Sequence, residues 1–182
     1  MVLTKEEMEK LRYPIGKFEK PTGITSDLIE KAIAEIENFP LKLRLETQDL
    51  SDDQLDTPYR PEGWTVRQVV HHCADSHMNA ITRFKLALTE DKPTIKPYEE
   101  ALWAELADSK LPISPALQML DGIHGRLSVL LKSLSETDLR RTFIHPEHGR
   151  EIPIEQLIFT YAWHGNHHLA HITSLKKRMR WS

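Results

Sequence analysis

The chain has 182 residues, a formal net charge of −3 and one cysteine. This length predicts a single domain, 1–182, that buries its core without disulfides. The slightly acidic charge excludes nucleic acid as an expected partner, because phosphate binding requires a clustered basic face. The sequence has no apolar run of roughly 20 residues and a charged beginning without a signal-peptide core, so we expect a cytoplasmic protein with no membrane partner.

The first half of the chain is predicted to be an arm followed by two long helices. Residues 1–24 contain two prolines and two glycines, which break a helical pattern and predict an extended N-terminal arm. Apolar residues at helical spacing predict a first helix from Ser26 to about Leu50, in which Pro40 either kinks the helix or starts its second half. A capping box at Ser51–Gln54 predicts a short turn. A second long helix is predicted from Thr65, its N-cap, to about Glu90.

The second half is predicted to hold two more long helices and a hairpin. A short helix from Tyr98 to Ala107 precedes a third long helix that begins near Ser114–Pro115, with the serine as N-cap and the proline at the first helical position. Around Thr142–Ile154 the apolar period changes to that of a β-hairpin, with Pro146–Gly149 as its turn. The last helix is predicted from Ile154 to Met179. The sequence therefore predicts an all-α fold, a four-helix bundle with a small accessory β-hairpin.

Histidines in the last helix indicate a metal site. His164 and His168 are four residues apart, so they project from one helix face about one turn apart, and that face is otherwise apolar or aromatic. His167 and His171 have the same spacing on a face that is predicted to be more polar. We therefore favour His164 and His168 as ligands. One more histidine from a distant helix would complete a site with room for water or substrate.

Two adjacent histidines in the second long helix are candidates for the third ligand. Periodicity hardly separates His71 from His72. His72 adjoins the apolar side that includes Cys73, which we interpret as a small buried residue, whereas His71 can pair with Asp75 on the flank. This gives His72 a modest edge. The structural alternative is that these histidines are buried groups satisfied by hydrogen bonds.

Four longer segments of the chain are informative together, namely Tyr13–Gly16, Leu55–Arg60, Gly63–His77 and the run from Trp163 through His168 to Trp181–Ser182. They closely resemble the YfiT-type metal-dependent hydrolases of the DinB-like superfamily of helical bundles, and the match spans nearly the whole chain. The resemblance implies an up-down-down-up four-helix bundle, a divalent metal held by three histidines, a homodimer and a cytoplasmic location.

The resemblance also implies the identity of the ligands. The first ligand of the family falls on His72, with Cys73 where the family usually has leucine. The second falls on His164, directly after Trp163, and the third on His168. The resemblance thus decides for His72 over His71.

The leading functional hypothesis is a metal-dependent hydrolase with one divalent metal ion per chain, zinc or nickel being favoured. The ion would activate water or a low-molecular-weight thiol for attack on a small-molecule substrate. Because the resembling superfamily includes enzymes that transfer bacillithiol, a bacillithiol S-transferase is the alternative. A non-catalytic stress protein that binds metal or a small ligand is a further alternative.

No catalytic residue can be assigned from the sequence. Asp75 lies one turn from His72 and could orient it, or it could form an exposed salt bridge to Arg67 or to a neighbouring helix instead. Asp121 and His124 could line the pocket, but a polar pair on the bundle surface is favoured. Three tryptophans are expected in the core rather than in a substrate pocket, namely Trp64, Trp103 and Trp163.

Overall fold

The computed structural model describes residues 3–146 and 149–181. These residues form eight α-helices, a 3₁₀ turn at Ala107–Lys110 and one two-stranded sheet. The elements are α1 (Lys5–Arg12), α2 (Ser26–Thr47), α3 (Asp52–Leu55), α4 (Val66–Thr89), α5 (Glu100–Trp103), α6 (Ser114–Lys132), α7 (Glu136–Leu139), β1 (Thr142–His145), β2 (Arg150–Pro153) and α8 (Ile154–Met179).

The four long helices α2, α4, α6 and α8 form the bundle. Both α2 and α4 pack against α6 and α8, so the apolar stripes of all four helices meet in one interior. The antiparallel strands β1 and β2 form the accessory hairpin, and Phe143 of β1 is buried in the core. The predicted four-helix bundle with a small hairpin is confirmed.

The bundle interior consists of two apolar clusters with a polar layer between them. Phe84, Leu127 and Ile158 belong to the cluster near the hairpin, and Val70 and Leu120 belong to the cluster at the other end. His77 on α4, His124 on α6 and His168 on α8 fall between the residues that enter these two clusters, and His72 lies one turn before His77. The histidines therefore lie in mid-bundle, where each helix is covered by its neighbours.

Helix ends follow the predicted capping chemistry at most positions. The Thr65 hydroxyl accepts a hydrogen bond from the amide of Gln68 in a capping box that begins α4, and Ser51 begins α3 in the same way. The start of α6 differs from the prediction. Its N-cap is Ile113, and Ser114 is already helical, although Pro115 does lie in the first turn as expected.

Three predicted boundaries are wrong or lie outside the described residues. The N-terminal arm is not extended throughout, because Lys5–Arg12 form α1; every proline and glycine of the arm comes after this helix. The helix expected from Tyr98 to Ala107 is reduced to α5, whose N-cap Glu99 makes no capping hydrogen bond. In the hairpin turn, the two residues 147–148 are not among those described.

None of the helices within the described residues has the length and apolarity needed to span a bilayer.

Candidate metal centre

The structure brings the three predicted ligands together in the polar layer. His72 projects from α4, and His164 and His168 project from α8; one ring nitrogen from each lies within 4.8 Å of the other two. The Nε2 atoms of His72 and His164 are 3.3 Å apart. Two nitrogens bound to one tetrahedral ion at the usual Zn–N distance are separated by about 3.3 Å. The arrangement therefore fits a single ion.

Two further side chains lie directly beside these nitrogens. Ser76 Oγ is 3.4 Å from His164 Nε2. The Trp64 ring lies against the rings of His72 and His168, with centroid distances of 4.6 and 6.4 Å. Trp64 thus covers one side of the cluster. The prediction that it is a core residue did not include this contact with the candidate ligands.

Burial keeps the three candidate ligands neutral. It lowers the pKa of His72 to about 4 and lowers the pKa of His164 and His168 well below the usual value. Neutral imidazole is the form that carries a free lone pair and binds metal. The cluster is therefore ready to bind a cation at neutral pH without first losing protons.

Two more histidines continue the cluster away from the ligand nitrogens. His164 Nδ1 lies 3.1 Å from His77 Nε2, and His77 Nδ1 lies 2.7 Å from His124 Nε2. The prediction of a surface pair between Asp121 and His124 is wrong. His124 is buried, and Asp121 instead pairs with Arg44.

The sequence contains a signal for these two histidines that the prediction did not use. His77 follows Val70 by seven residues and Cys73 by four, and both of those residues are buried. His124 stands in the same relation to Leu117 and Leu120 on α6. Each histidine therefore continues an apolar stripe, which is a reason to expect it inside.

His167 and His171, whose face is predicted to be the more polar one, are both buried. His171 Nε2 lies 3.0 Å from the carbonyl oxygen of Arg12, and the His171 ring stacks on Tyr59. His167 packs between Trp163 and the N-terminal arm. The arm covers this face of α8, and helical periodicity within α8 gives no indication of that.

The flank of α4 also differs from the prediction. His71 Nε2 lies 3.1 Å from the carbonyl oxygen of Leu111, so His71 faces away from the ligand cluster. Arg67 is buried and bonds Asp52 and Asp56. The hypothesis that Asp75 pairs with Arg67 is therefore wrong.

Asp75 does not orient a ligand either. Among the described residues no hydrogen bond joins its carboxylate to a histidine ring, and burial, together with Asp108, raises its pKa to about 6. Cys73 is fully buried, as predicted, and burial raises the pKa of its thiol. A thiol of this kind is inert because it is rarely ionised and not accessible.

A cavity of about 390 Å³ opens beside His164. Its wall includes Ser76 and Tyr161 together with three cations, Lys20, Arg83 and Arg150, and the carboxylate of Glu100. Arg83 Nη1 donates to the hydroxyl of Tyr161 at 3.3 Å, and that hydroxyl donates to the carbonyl oxygen of Ser76 at 3.2 Å. The cavity gives a small molecule access to the ligand cluster.

Two predicted core tryptophans lie away from this cavity. Trp163 stacks on His167, and Trp103 packs against Tyr98. Neither is part of the cavity wall. Both are half-buried and belong to neither core cluster, so the expectation that they are core residues is not met, although each packs against another ring.

Two similar proteins carry the same description. A protein from Bacillus mycoides (strain KBAB4), named "Putative metal-dependent hydrolase", is 58% identical over 174 residues, which cover 96% of this chain and all of that protein. A protein of the same description from Bacillus cereus (strain B4264) is similar to the same extent. Both relatives are matched along their full length.

A solved structure shares the fold. YfiT from Bacillus subtilis, described as "a probable metal-dependent hydrolase with an unusual four-helix bundle topology", superposes with a TM-score of 0.92 at 48% identity. The match covers 95% of this chain and 99% of YfiT. The sequence profile of the DinB superfamily matches residues 41–172, a segment that contains all three candidate ligands. This chain therefore belongs to the DinB superfamily.

Proposed function

We propose that this protein is a metal-dependent hydrolase that acts on a small molecule. One divalent ion, zinc or nickel, is held by His72, His164 and His168. The observation that carries the proposal is the set of three neutral imidazole nitrogens within 4.8 Å of one another beside an open cavity. The names of the full-length relatives and of YfiT support the same activity.

The ion would act as a Lewis acid, lowering the pKa of a water or thiol in the coordination position that three protein ligands leave open. The residues around it have separate tasks. Trp64 covers one side of the ligand rings and limits access to the cavity side. Ser76 Oγ lies next to His164 Nε2, where its hydroxyl can hydrogen-bond to a nucleophile in the open position.

The cavity wall indicates a negatively charged substrate. Lys20, Arg83 and Arg150 place three positive charges on the wall of the cavity. They outnumber the single carboxylate of the wall, Glu100. A carboxylate or phosphate group on the substrate would form ion pairs with these cations, and arginine is suited to binding such groups.

The hydrolase and the alternative bacillithiol S-transferase differ in the nucleophile. With water the reaction is hydrolysis, and with a low-molecular-weight thiol such as bacillithiol it is S-transfer to an electrophile. The cavity favours neither by size, but its cations also suit an anionic thiol. A parallel assay of ester and amide hydrolysis and of thiol consumption separates the two. A protein that binds metal and turns over no substrate in either assay would be the non-catalytic binding protein instead.

The metal site itself is tested by elemental mass spectrometry on protein purified without a histidine tag. We expect about one equivalent of metal per chain in the wild type and none in His168→Ala. The matched control is His71→Ala, which removes a histidine that bonds the carbonyl oxygen of Leu111 and faces away from the cluster. Metal loss in both variants, or metal in neither the wild type nor the control, contradicts the proposed site.

We further propose a homodimer in the cytoplasm. Large apolar side chains are exposed on α2 and α6, among them Leu41, Leu45 and Val129. Exposed apolar residues on neighbouring helices are typical of association surfaces. Sedimentation equilibrium tests the homodimer. A protein that is monomeric at all concentrations would contradict it.

A further inference from the structure

Pro40 frees a backbone carbonyl in the middle of the bundle. In an α-helix the amide of residue 40 would donate to the carbonyl of residue 36. Pro40 lies inside α2 and has no amide hydrogen, so the carbonyl of Ile36 lacks its helical donor. His124 Nδ1 of α6 lies 2.6 Å from that carbonyl oxygen. The histidine thus supplies the donor that the proline removes.

This contact fixes where the hydrogen of His124 lies. A carbonyl oxygen only accepts, so His124 must carry its hydrogen on Nδ1. A neutral imidazole has one N–H, which leaves His124 Nε2 as an acceptor. Burial lowers the pKa of His124 to about 4, so the ring is neutral at pH 7.

The same reasoning gives the position of the hydrogen on His77 and then on the candidate ligand His164. His77 Nδ1, 2.7 Å from His124 Nε2, must donate, and His77 Nε2 must therefore accept. His164 Nδ1, 3.1 Å from His77 Nε2, then donates in turn. His164 Nε2 is left with a free lone pair, 3.3 Å from His72 Nε2. A single carbonyl oxygen sets the tautomer of three imidazoles.

We propose that Pro40, His124 and His77 are positioning residues that hold His164 in the one tautomer that can bind metal through Nε2. The chain of hydrogen bonds starts on α2 and crosses α6 and α4 before it reaches α8, so it also ties the four long helices to the ligand. Phe39 stacks on His77 with ring centroids 5.1 Å apart and fixes the orientation of that ring. The inference rests on the proposed metal site only for the role of His164 Nε2.

The tautomer is measured directly by ¹⁵N NMR of metal-free protein labelled at histidine, with the His164 signals assigned from their absence in His164→Gln. We expect the hydrogen on Nδ1 of His164 in the wild type. His124→Leu removes both the donor to Ile36 and the acceptor for His77, so His164 should populate both tautomers. His124→Gln restores one donor and one acceptor at similar positions and should recover the wild-type tautomer.

A control variant separates tautomer control from general loss of stability. Thr47→Val removes another buried hydrogen bond, from the threonine hydroxyl to the carbonyl of Leu43. It should lower stability and leave the His164 tautomer unchanged. A wild-type His164 with its hydrogen on Nε2, or a folded His124→Leu with an unchanged tautomer, overturns the proposal.

Metal affinity provides the second readout. Loss of a partner that orients a ligand weakens metal binding by about 10- to 100-fold, and we expect this of His124→Leu, with most of the affinity recovered in His124→Gln. If wild-type protein binds no metal, the proposed function fails, while the tautomer of the metal-free protein still decides this proposal.

Pro40→Ala gives the sharpest test because metal affinity should fall without a loss of stability. Alanine is the better helix former and returns an amide that competes with His124 for the Ile36 carbonyl. We expect equal or higher stability together with weaker metal binding and mixed His164 tautomers. Higher stability with unchanged affinity and tautomer would show that Pro40 has no role in positioning the ligand.

Discussion

Gly165 lies between two of the proposed ligands on α8, and the effect of adding a side chain there on stability can be measured. A Cβ at this position would stand 2.9 Å from Cδ2 and 3.0 Å from Cγ of Phe39, against 3.4–4 Å for ordinary contact. These atoms belong to the base of a ring that is buried in the core. Gly165→Ala therefore requires the ring or the helix to move by roughly 0.5 Å.

The expected magnitude combines two opposing effects. Overpacking of this kind costs about 1–3 kcal/mol, and replacing glycine by alanine in a helix interior contributes about 1 kcal/mol of stability. Gly165→Ala should thus lower the free energy of unfolding by about 0–2 kcal/mol. Gly122→Ala on α6 is the matched control, since no atom lies within 4 Å of its added Cβ. It should raise stability by about 1 kcal/mol.

Urea unfolding of the metal-free variants, followed by circular dichroism, measures the difference between them. A separation of about 1–3 kcal/mol, with Gly165→Ala the less stable, is expected. Phe39 also stacks on His77, so Gly165→Ala should weaken metal binding while Gly122→Ala does not. Equal stabilisation of both variants would refute the close approach of α2 and α8 at this point.

Three further outcomes are expected. The metal-free protein should lose stability as the pH falls from 6.5 towards 4, by up to about 1.4 kcal/mol per pH unit for each histidine such as His72 and His124. In the folded protein the pKa of each of these two histidines is about 4, so between pH 6.5 and pH 4 mainly the unfolded chain takes up protons. Equal urea midpoints at pH 7 and pH 5 would contradict the expected loss of stability. Asp56→Ala should cost about 1–3 kcal/mol in thermal unfolding, because it leaves the buried guanidinium of Arg67 with a poorer set of acceptors; a change below the error would argue against it. For any anionic substrate found, Arg83→Met should raise KM by about tenfold or more and leave a neutral analogue unaffected, so an equal effect on both would count against charge recognition.

Local signals in the sequence were sufficient for most of the fold. The apolar stripes of the long helices, the N-cap at Thr65 and the change of period at the hairpin are all carried by residues close together in the chain. The same applies to His164 and His168, which are one turn apart on α8. The pairing of these two with His72 came from family resemblance, because periodicity could not choose between His71 and His72.

Elements that depend on distant contacts were predicted less well. His171 was placed on a polar face because its neighbours on α8 are polar, yet the carbonyl of Arg12 covers it from the N-terminal arm. His124 was assigned to the surface with Asp121, whereas its partners are His77 and Ile36. Each error concerns a polar residue whose burial is decided by a different segment of the chain.

Pro40 is the clearest case of a local signal whose meaning is set at long range. From the sequence it could kink the first helix or begin its second half, and neither alternative says what happens to the carbonyl that the proline leaves without a donor. The structure shows one continuous helix, Ser26–Thr47, through this position. It is tolerated because a side chain 88 residues beyond Ile36, His124, satisfies the carbonyl that the proline leaves open. The buried Pro40 and the buried His124 are therefore explained together by one hydrogen bond between α2 and α6, and that bond is the first of three that lead to the candidate ligand His164.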